Sequence, residues 1–253
     1  MPPILRRLAP QLGAEVVFEP EYGIVGCIRF PNGRQSYFWH NKFNLNSVAS
    51  ARIAQDKGYS NFFLKERGFH IPSSAVFLEE AFRQRLRTGN GPAAARDFAG
   101  SLGWDVFLKP LRGSGGRGIV RTCGEAEFDT ALPAIFNKER KLLIQQACPG
   151  RDYRFVVLDG EVINAYQRVP LTVIGDGGSP ITVLLAALQA DFTASGRDTI
   201  IPVTDDRIAQ QLQRNGLTPE FIPPAGMKLR LLDIANLSCG GTTRLVTPSL
   251  LPQ

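Results

Sequence analysis

The apolar positions of this chain change period several times, and each change marks an element. β-Branched and aromatic runs come first, AEVVFE, GIVGCIRF and SYFWH within residues 14–40, with Pro31-Asn32-Gly33 as a turn signal between the last two. They predict a small β-rich preface over residues 1–46, with Tyr37, Phe38 and Trp39 as core or edge packing. From Ser47 the period becomes helical. Tyr59, Phe62 and Phe63 fall at i, i+3 and i+4, and Gly68 stands where a C-cap glycine belongs. Pro72 bars further helix, and SAVF follows as a strand. Leu78, Phe82 and Leu86 at i, i+4 and i+8 predict a second helix, which ends at the break GNGP (89–92). Phe98 and Leu102 share one face of a third.

The strand WDVFLKP follows, then a glycine-rich loop, then the strand GIVRT. EAEFDTALPAIF reads as a helix presenting Phe128, Leu132 and Ile135, with Pro133 inside it. KLLIQQA is a strand, and RFVVLDGEVINAYQR is a hairpin turning at Asp159-Gly160. PITVLLAALQADF and DDRIAQQLQRNG are helical, and MKLRLLDIANLS is a last strand. The elements alternate without the spacing of a doubly wound parallel sheet, so the fold class predicted is α+β.

The stretch FLKPLRGSGGRGIV (107–120) carries the clearest chemistry. Glycines at 113, 115, 116 and 118 let backbone N–H groups approach a ligand closely, and Lys109 adds a point charge suited to phosphate. Gly113, Gly115 and Gly118 fit G-x-G-x-x-G, but they lead into a strand, so the dinucleotide fingerprint does not apply. The HRD and DFG motifs of protein kinases and the Walker A motif do not occur. Two readings of these residues stand, a phosphate-cradling hairpin and a mobile surface hairpin.

Composition narrows the class. The 253 residues carry 29 Lys and Arg against 23 Asp and Glu, a net charge of +6, which suits an anionic ligand. Basic residues such as Arg83, Arg85 and Arg87 are mixed among polar ones without interleaved aromatics, which argues against a nucleic-acid partner. Cys27, Cys123, Cys148 and Cys239 form no C-x-x-C, and only His40 and His70 are present, so neither a disulfide framework nor a His-rich metal site is expected. No apolar run approaches a membrane span and MPPILRRLAP lacks a signal-like apolar core, so the chain is expected to be soluble and cytoplasmic.

Four stretches, in order, resemble the ATP-grasp carboxylate–amine ligases. They are Asp56-Lys57 with Gly68 and Pro72, FLKPLRGSGGRG, LIQQACPGRDYRFVVLDGEVINAYQRVP, and VIGDGGSPITVLL followed by PPAGMKLRLLDIANLSCGG. The last is most like the ligase domain of cyanophycin synthetases, and glutathione synthetase and D-alanine–D-alanine ligase are similar too. The resemblance spans about Ser47 to Thr243. It implies an ATP-grasp fold with a small subdomain over 47–148 and a C-terminal subdomain over 149–253. It also implies ATP as cofactor, a small amino acid or peptide substrate, and a carboxylate activated as an acylphosphate for attack by an amine. A homo-oligomer is a further expectation.

By that resemblance, Lys57 and Lys109 hold the phosphates, and the backbone from Gly113 through Ser114, Gly115 and Gly116 caps them. Gln145, with the backbone of Gln146 and Cys148, meets adenine; Asp152 takes the ribose hydroxyls; and Arg168 sits by the transferred phosphate. Arg154, Asn236 and Ser238 fall to the substrate. Simpler readings stand beside these: an ion pair of Asp152 with Arg151 or Arg154, a helix-start role for Lys57, a neighbouring partner for Arg154, and turn capping by Asn236 and Ser238. The family's GxD and ExN metal motifs do not follow Gly241, so Mg2+ is expected without identified ligands. Asp233 and Asn236 have the right oxygen chemistry but do not match those positions. A fragment, a short form that binds ATP without turnover, and a partner-completed site would each account for this; LVTPSLLPQ, trailing off where the family continues, favours a fragment.

Overall fold

In the computed structural model, which describes residues 2–201 and 204–246, the chain divides into two compact units, Met1–Ser60 and Asn61–Gln253. The first opens with α1 (Pro2–Leu8) and a short 3-10 turn. The sequence reading did not anticipate this helix, yet proline is well suited to a first helical turn, where its missing N–H has no partner to lose. Four antiparallel strands follow in chain order, β1 (Glu15–Phe18), β2 (Val25–Arg29), β3 (Gln35–Trp39) and β4 (Lys42–Phe43). The predicted turn closes β2 onto β3, with the Phe30 carbonyl accepting from Gly33 at 3.0 Å. Of the three aromatics on β3 only Phe38 is core, packed edge-on to Phe18 at 5.5 Å; Tyr37 and Trp39 point the other way and are exposed.

Two helices follow. Ser47 caps α2 (Val48–Gln55) through its Oγ, which accepts from the Ser50 N–H, and Asp56 caps α3 (Lys57–Glu66) by accepting from the Gly58 and Tyr59 N–H groups. The stripe Tyr59, Phe62 and Phe63 forms as its spacing predicts but remains exposed, so the period is helical without marking a buried face.

The second unit holds two apolar cores. β5 (Ser74–Leu78), α4 (Glu80–Leu86), α5 (Pro92–Ser101), β6 (Asp105–Pro110), β7 (Val120–Cys123), α6 (Glu125–Phe136) and β8 (Lys141–Gln146) build the first, on an antiparallel sheet ordered β5-β8-β6-β7. Val106, Leu108, Leu142 and Ile144 face Phe128 of α6 and are fully buried with it. Leu78 ends β5 instead of opening a helix, because the Glu79 carboxylate caps α4 at Ala81 and Phe82.

β9 (Asp152–Leu158) and β10 (Glu161–Val169) form the predicted hairpin, with Asp159 and Gly160 both at positive φ (50° and 84°), the conformation a tight two-residue hairpin turn requires. β11 (Thr172–Ile174), α7 (Ile181–Ala194), α8 (Asp206–Arg214) and β12 (Lys228–Arg230) enclose the second core around Leu171, Ile181, Leu185, Leu212, Leu231 and Leu232. The long strand expected over MKLRLLDIANLS is only β12. Beyond it the Arg230 guanidinium folds back onto the carbonyls of Leu232 and Asp233, and the chain enters a 3-10 turn at Leu237–Cys239. β13 (Thr242–Leu245), not anticipated, then pairs with β10.

Candidate functional site

Alternation along β6 sends Val106 and Leu108 into the first core and Asp105, Phe107 and Lys109 to the opposite face of the sheet. Register places Phe107 opposite both Gln145 and Arg121. Lys109 Nζ donates to Gln145 Oε1 and lies 5.0 Å from the centre of the Phe107 ring. Two predicted site residues thus meet on one floor, which pairs a cation, an amide and an aromatic surface. The Gln146 N–H is committed to the Ser73 carbonyl at 2.8 Å, and the exposed Cys148 thiol approaches the Gln146 carbonyl.

The glycine loop rises directly from Lys109-Pro110 and packs against residues 234–239. Ser238 Oγ and Cys239 Sγ both donate to the Gly115 carbonyl at 3.0 Å. A Cβ at Gly116, where φ is +71°, would stand 2.4 Å from Ile234 Cδ1 and 3.3 Å from Asn236 Oδ1. The segment and the loop approach so closely that only glycine fits there. Asn236 and Ser238 are therefore brought to the loop's underside. The Asn236 carbonyl, accepting from Cys239 and Gly241, supports the 3-10 turn, while its side chain makes no capping bond.

Asp152 and Arg168 face each other across the β9–β10 hairpin. Arg168 donates through Nε and Nη2 to the two carboxylate oxygens at 2.9 and 2.8 Å. The partner of Asp152 is thus Arg168, not Arg151 or Arg154. Arg154 is exposed on β9. Lys57 belongs to the first unit, at the start of α3, where burial lowers its pKa from the usual lysine value.

Asp233 is occupied by cations. Arg121, Arg214 and Arg230 approach its carboxylate at 2.8, 3.2 and 3.3 Å. Arg121 also forks onto Asp105, and Arg214 reaches both Glu127 and the Arg121 carbonyl. The Arg214 guanidinium holds Glu127 below the usual carboxylate range, against the opposing effect of burial. Among the described residues no group of three or more His, Cys, Asp or Glu side chains could hold a metal ion. With Asp233 surrounded by guanidinium groups, the described residues do not fit the Mg2+ that the resemblance implies.

Sequence reasoning missed Arg207 and Arg214. The heptad spacing in DDRIAQQLQRNG sets both on one stripe of α8, beside the buried Ile208 and Leu212. Arg207 Nη1 donates to the Gly116 carbonyl at 2.9 Å, while its other nitrogens grip Asp205. Burial pushes the Asp205 carboxyl up, but the Arg207 side-chain and backbone hydrogen bonds outweigh it and leave its pKa lowered. Arg197 braces the same region through the Leu237 and Gly241 carbonyls. Spacing alone could have flagged α8, but not what its arginines would reach.

Residues 90–218, half of the chain, match the family described as prokaryotic glutathione synthetase, ATP-grasp domain. Cyanophycin synthetase of Trichormus variabilis is 32% identical over 217 residues, covering 81% of this chain and 22% of that protein. The glutathione biosynthesis bifunctional protein GshAB of Streptococcus mutans is 30% identical over 236 residues, covering 85% of this chain and 29% of its own length. A bifunctional glutathione synthetase from Pasteurella multocida superimposes with a TM-score of 0.48 at 23% identity, over 91% of this chain and 30% of that one. The chain thus spans under a third of the length of these relatives. It belongs to the family of prokaryotic glutathione synthetase ATP-grasp domains and has the ATP-grasp fold.

Proposed function

We propose that this chain binds ATP on the open face of the β5-β8-β6-β7 sheet and uses it to join a small amino acid or peptide carboxylate to an amine, through an acylphosphate. The observation that carries the reading is Lys109, seated with Gln145 over Phe107 at the foot of a glycine loop whose carbonyls are tied down. Lys109 would neutralise phosphate charge, and loop N–H groups from Gly113 to Gly116 would donate to phosphate oxygens. Gln145 would accept from the adenine amino group, with main-chain groups at Gln146 and Cys148 beside it. Asp152 would take the ribose hydroxyls and Arg168 would stand by the transferred phosphate, each presented by the other through their ion pair. Arg154, Asn236 and Ser238 would face the substrate. Residues 47–148 would serve as the small subdomain and 149–253 as the C-terminal one.

Membership of the ATP-grasp family and relatives named for making cyanophycin and glutathione support this reading. No described helix is long and apolar enough to cross a membrane, and all four cysteines are free, in keeping with a reducing, cytoplasmic setting. The test is ADP release from ATP on addition of paired acids and amines. Release that needs both partners is expected; ATP binding without release would sink the ligase reading and leave a nucleotide-binding module.

A further inference from the structure

We propose that Arg207 is a positioning residue for the glycine loop, setting its peptide planes together with Ser238 and Cys239 before any nucleotide arrives. The role in nucleotide binding rests on the reading above; the latch itself does not. In a trans peptide the carbonyl and the following N–H point in opposite directions. The Gly115 carbonyl is held by Ser238 Oγ and Cys239 Sγ, so the Gly116 N–H is directed away from residues 238 and 239. The Gly116 carbonyl is held by Arg207 Nη1, so the Arg117 N–H is directed away from Arg207. Two consecutive donors are thereby oriented by groups of the second core.

Arg207 is itself fixed. Its Nε and Nη2 grip the Asp205 carboxylate at 2.9 and 2.6 Å, and Asp205 also caps α8 by accepting from the Arg207 N–H at 3.0 Å. The planar guanidinium suits this double duty, a fork on one side and a single donor on the other. Orientation therefore passes from α8 through Asp205 and Arg207 to Gly116. A loop with glycines at 113, 115, 116 and 118 has much backbone freedom to lose. Losing part of it during folding reduces what binding must later supply.

The test uses the full chain, wild type against Arg207→Gln and Arg207→Lys. Without nucleotide, amide hydrogen exchange over residues 111–118 is expected to speed up about tenfold in Arg207→Gln, the loss of one charge-assisted hydrogen bond, with β8 exchange unchanged. Calorimetry should then show ATP and ADP bound about tenfold more weakly by Arg207→Gln, AMP within about twofold of wild type, and partial recovery in Arg207→Lys. A general structural role would weaken all three nucleotides alike. Unchanged loop exchange in Arg207→Gln, or equal losses for ATP and AMP, would overturn the proposal. If Arg207→Gln does not fold, Asp205→Asn, which loosens the fork that fixes Arg207, decides it: faster loop exchange upholds the latch and unchanged exchange refutes it. A wild-type chain that binds no ATP would remove the nucleotide reading, while loop exchange would still decide the latch.

Discussion

Replacing Asp233 with alanine removes the one carboxylate on which Arg121, Arg214 and Arg230 converge. Its side chain is 11% exposed, and those of Arg214 and Arg121 are 18% and 28% exposed, so water screens the resulting charge only in part. Removing one partner of a buried ion pair costs about 3–5 kcal/mol. Each arginine here keeps another acceptor: Asp105 for Arg121, Glu127 for Arg214, and the Leu232 carbonyl for Arg230. The loss should therefore lie near the low end, about 3 kcal/mol, which for a unit of this size lowers Tm by about 6–12 °C. Asp233→Asn keeps the shape and an acceptor but not the charge, and should cost about half as much. Trp104 packs against Phe128 in the first core of the second unit, and the other tryptophan, Trp39, lies in the first unit. Thermal unfolding followed by fluorescence in a Trp39→Phe background therefore reports on the unit that holds Asp233. A shift under about 2 °C for Asp233→Ala would refute the claim that Asp233 holds these three arginines in a stabilising cluster.

Gly116→Ala should cost about 1–2 kcal/mol from the left-handed backbone alone, and more from the 2.4 Å approach to Ile234, with weaker ATP binding by calorimetry. Gly124→Ala, at an extended φ of −174° with open space around its Cβ, should leave ATP binding unchanged and cost under about 1 kcal/mol, as the N-cap of α6. Because the folded-state pKa of Glu127 lies below its ordinary value of 4.5, its pairing with Arg214 stabilises the fold above that value, and the contribution is lost as pH falls through the lowered folded pKa. Glu127→Gln should therefore flatten the acid limb of a Tm-against-pH profile; an unchanged profile would contradict this. Asp152→Ala breaks a half-exposed pair and should alter stability by less than about 1 kcal/mol, yet weaken ATP binding measured by calorimetry.

Where a local rule decides the backbone, the chain was readable. Asp159-Gly160 turned as expected because few other pairs accept two positive φ values, and the strand–loop–strand around Lys109 followed from its glycines and alternating apolar residues. Lys109 and Gln145 were each singled out in the sequence, and strand register brings their side chains together. What failed depended on distant neighbours. Tyr59, Phe62 and Phe63 have helical spacing, but spacing does not say whether anything covers them. MKLRLLDIANLS reads as a strand until Arg230 folds back onto carbonyls three residues on, a contact that propensity does not contain. Asp152 found Arg168 through the hairpin register, not through its nearest arginines in sequence. Arg207 lies far from the loop in the chain and reaches it only once α8 is packed.

The central claim is that the sheet face bearing Lys109, with the loop beside it, grips ATP by its phosphates. Calorimetric titration of ATP and of adenosine into the wild-type chain and Lys109→Ala tests it most directly. The account predicts ATP binding that weakens about tenfold or more in the variant, the scale of a lost charge-assisted contact, with adenosine binding nearly unchanged. Equal ATP affinity in both proteins, or none in the wild type, would contradict it.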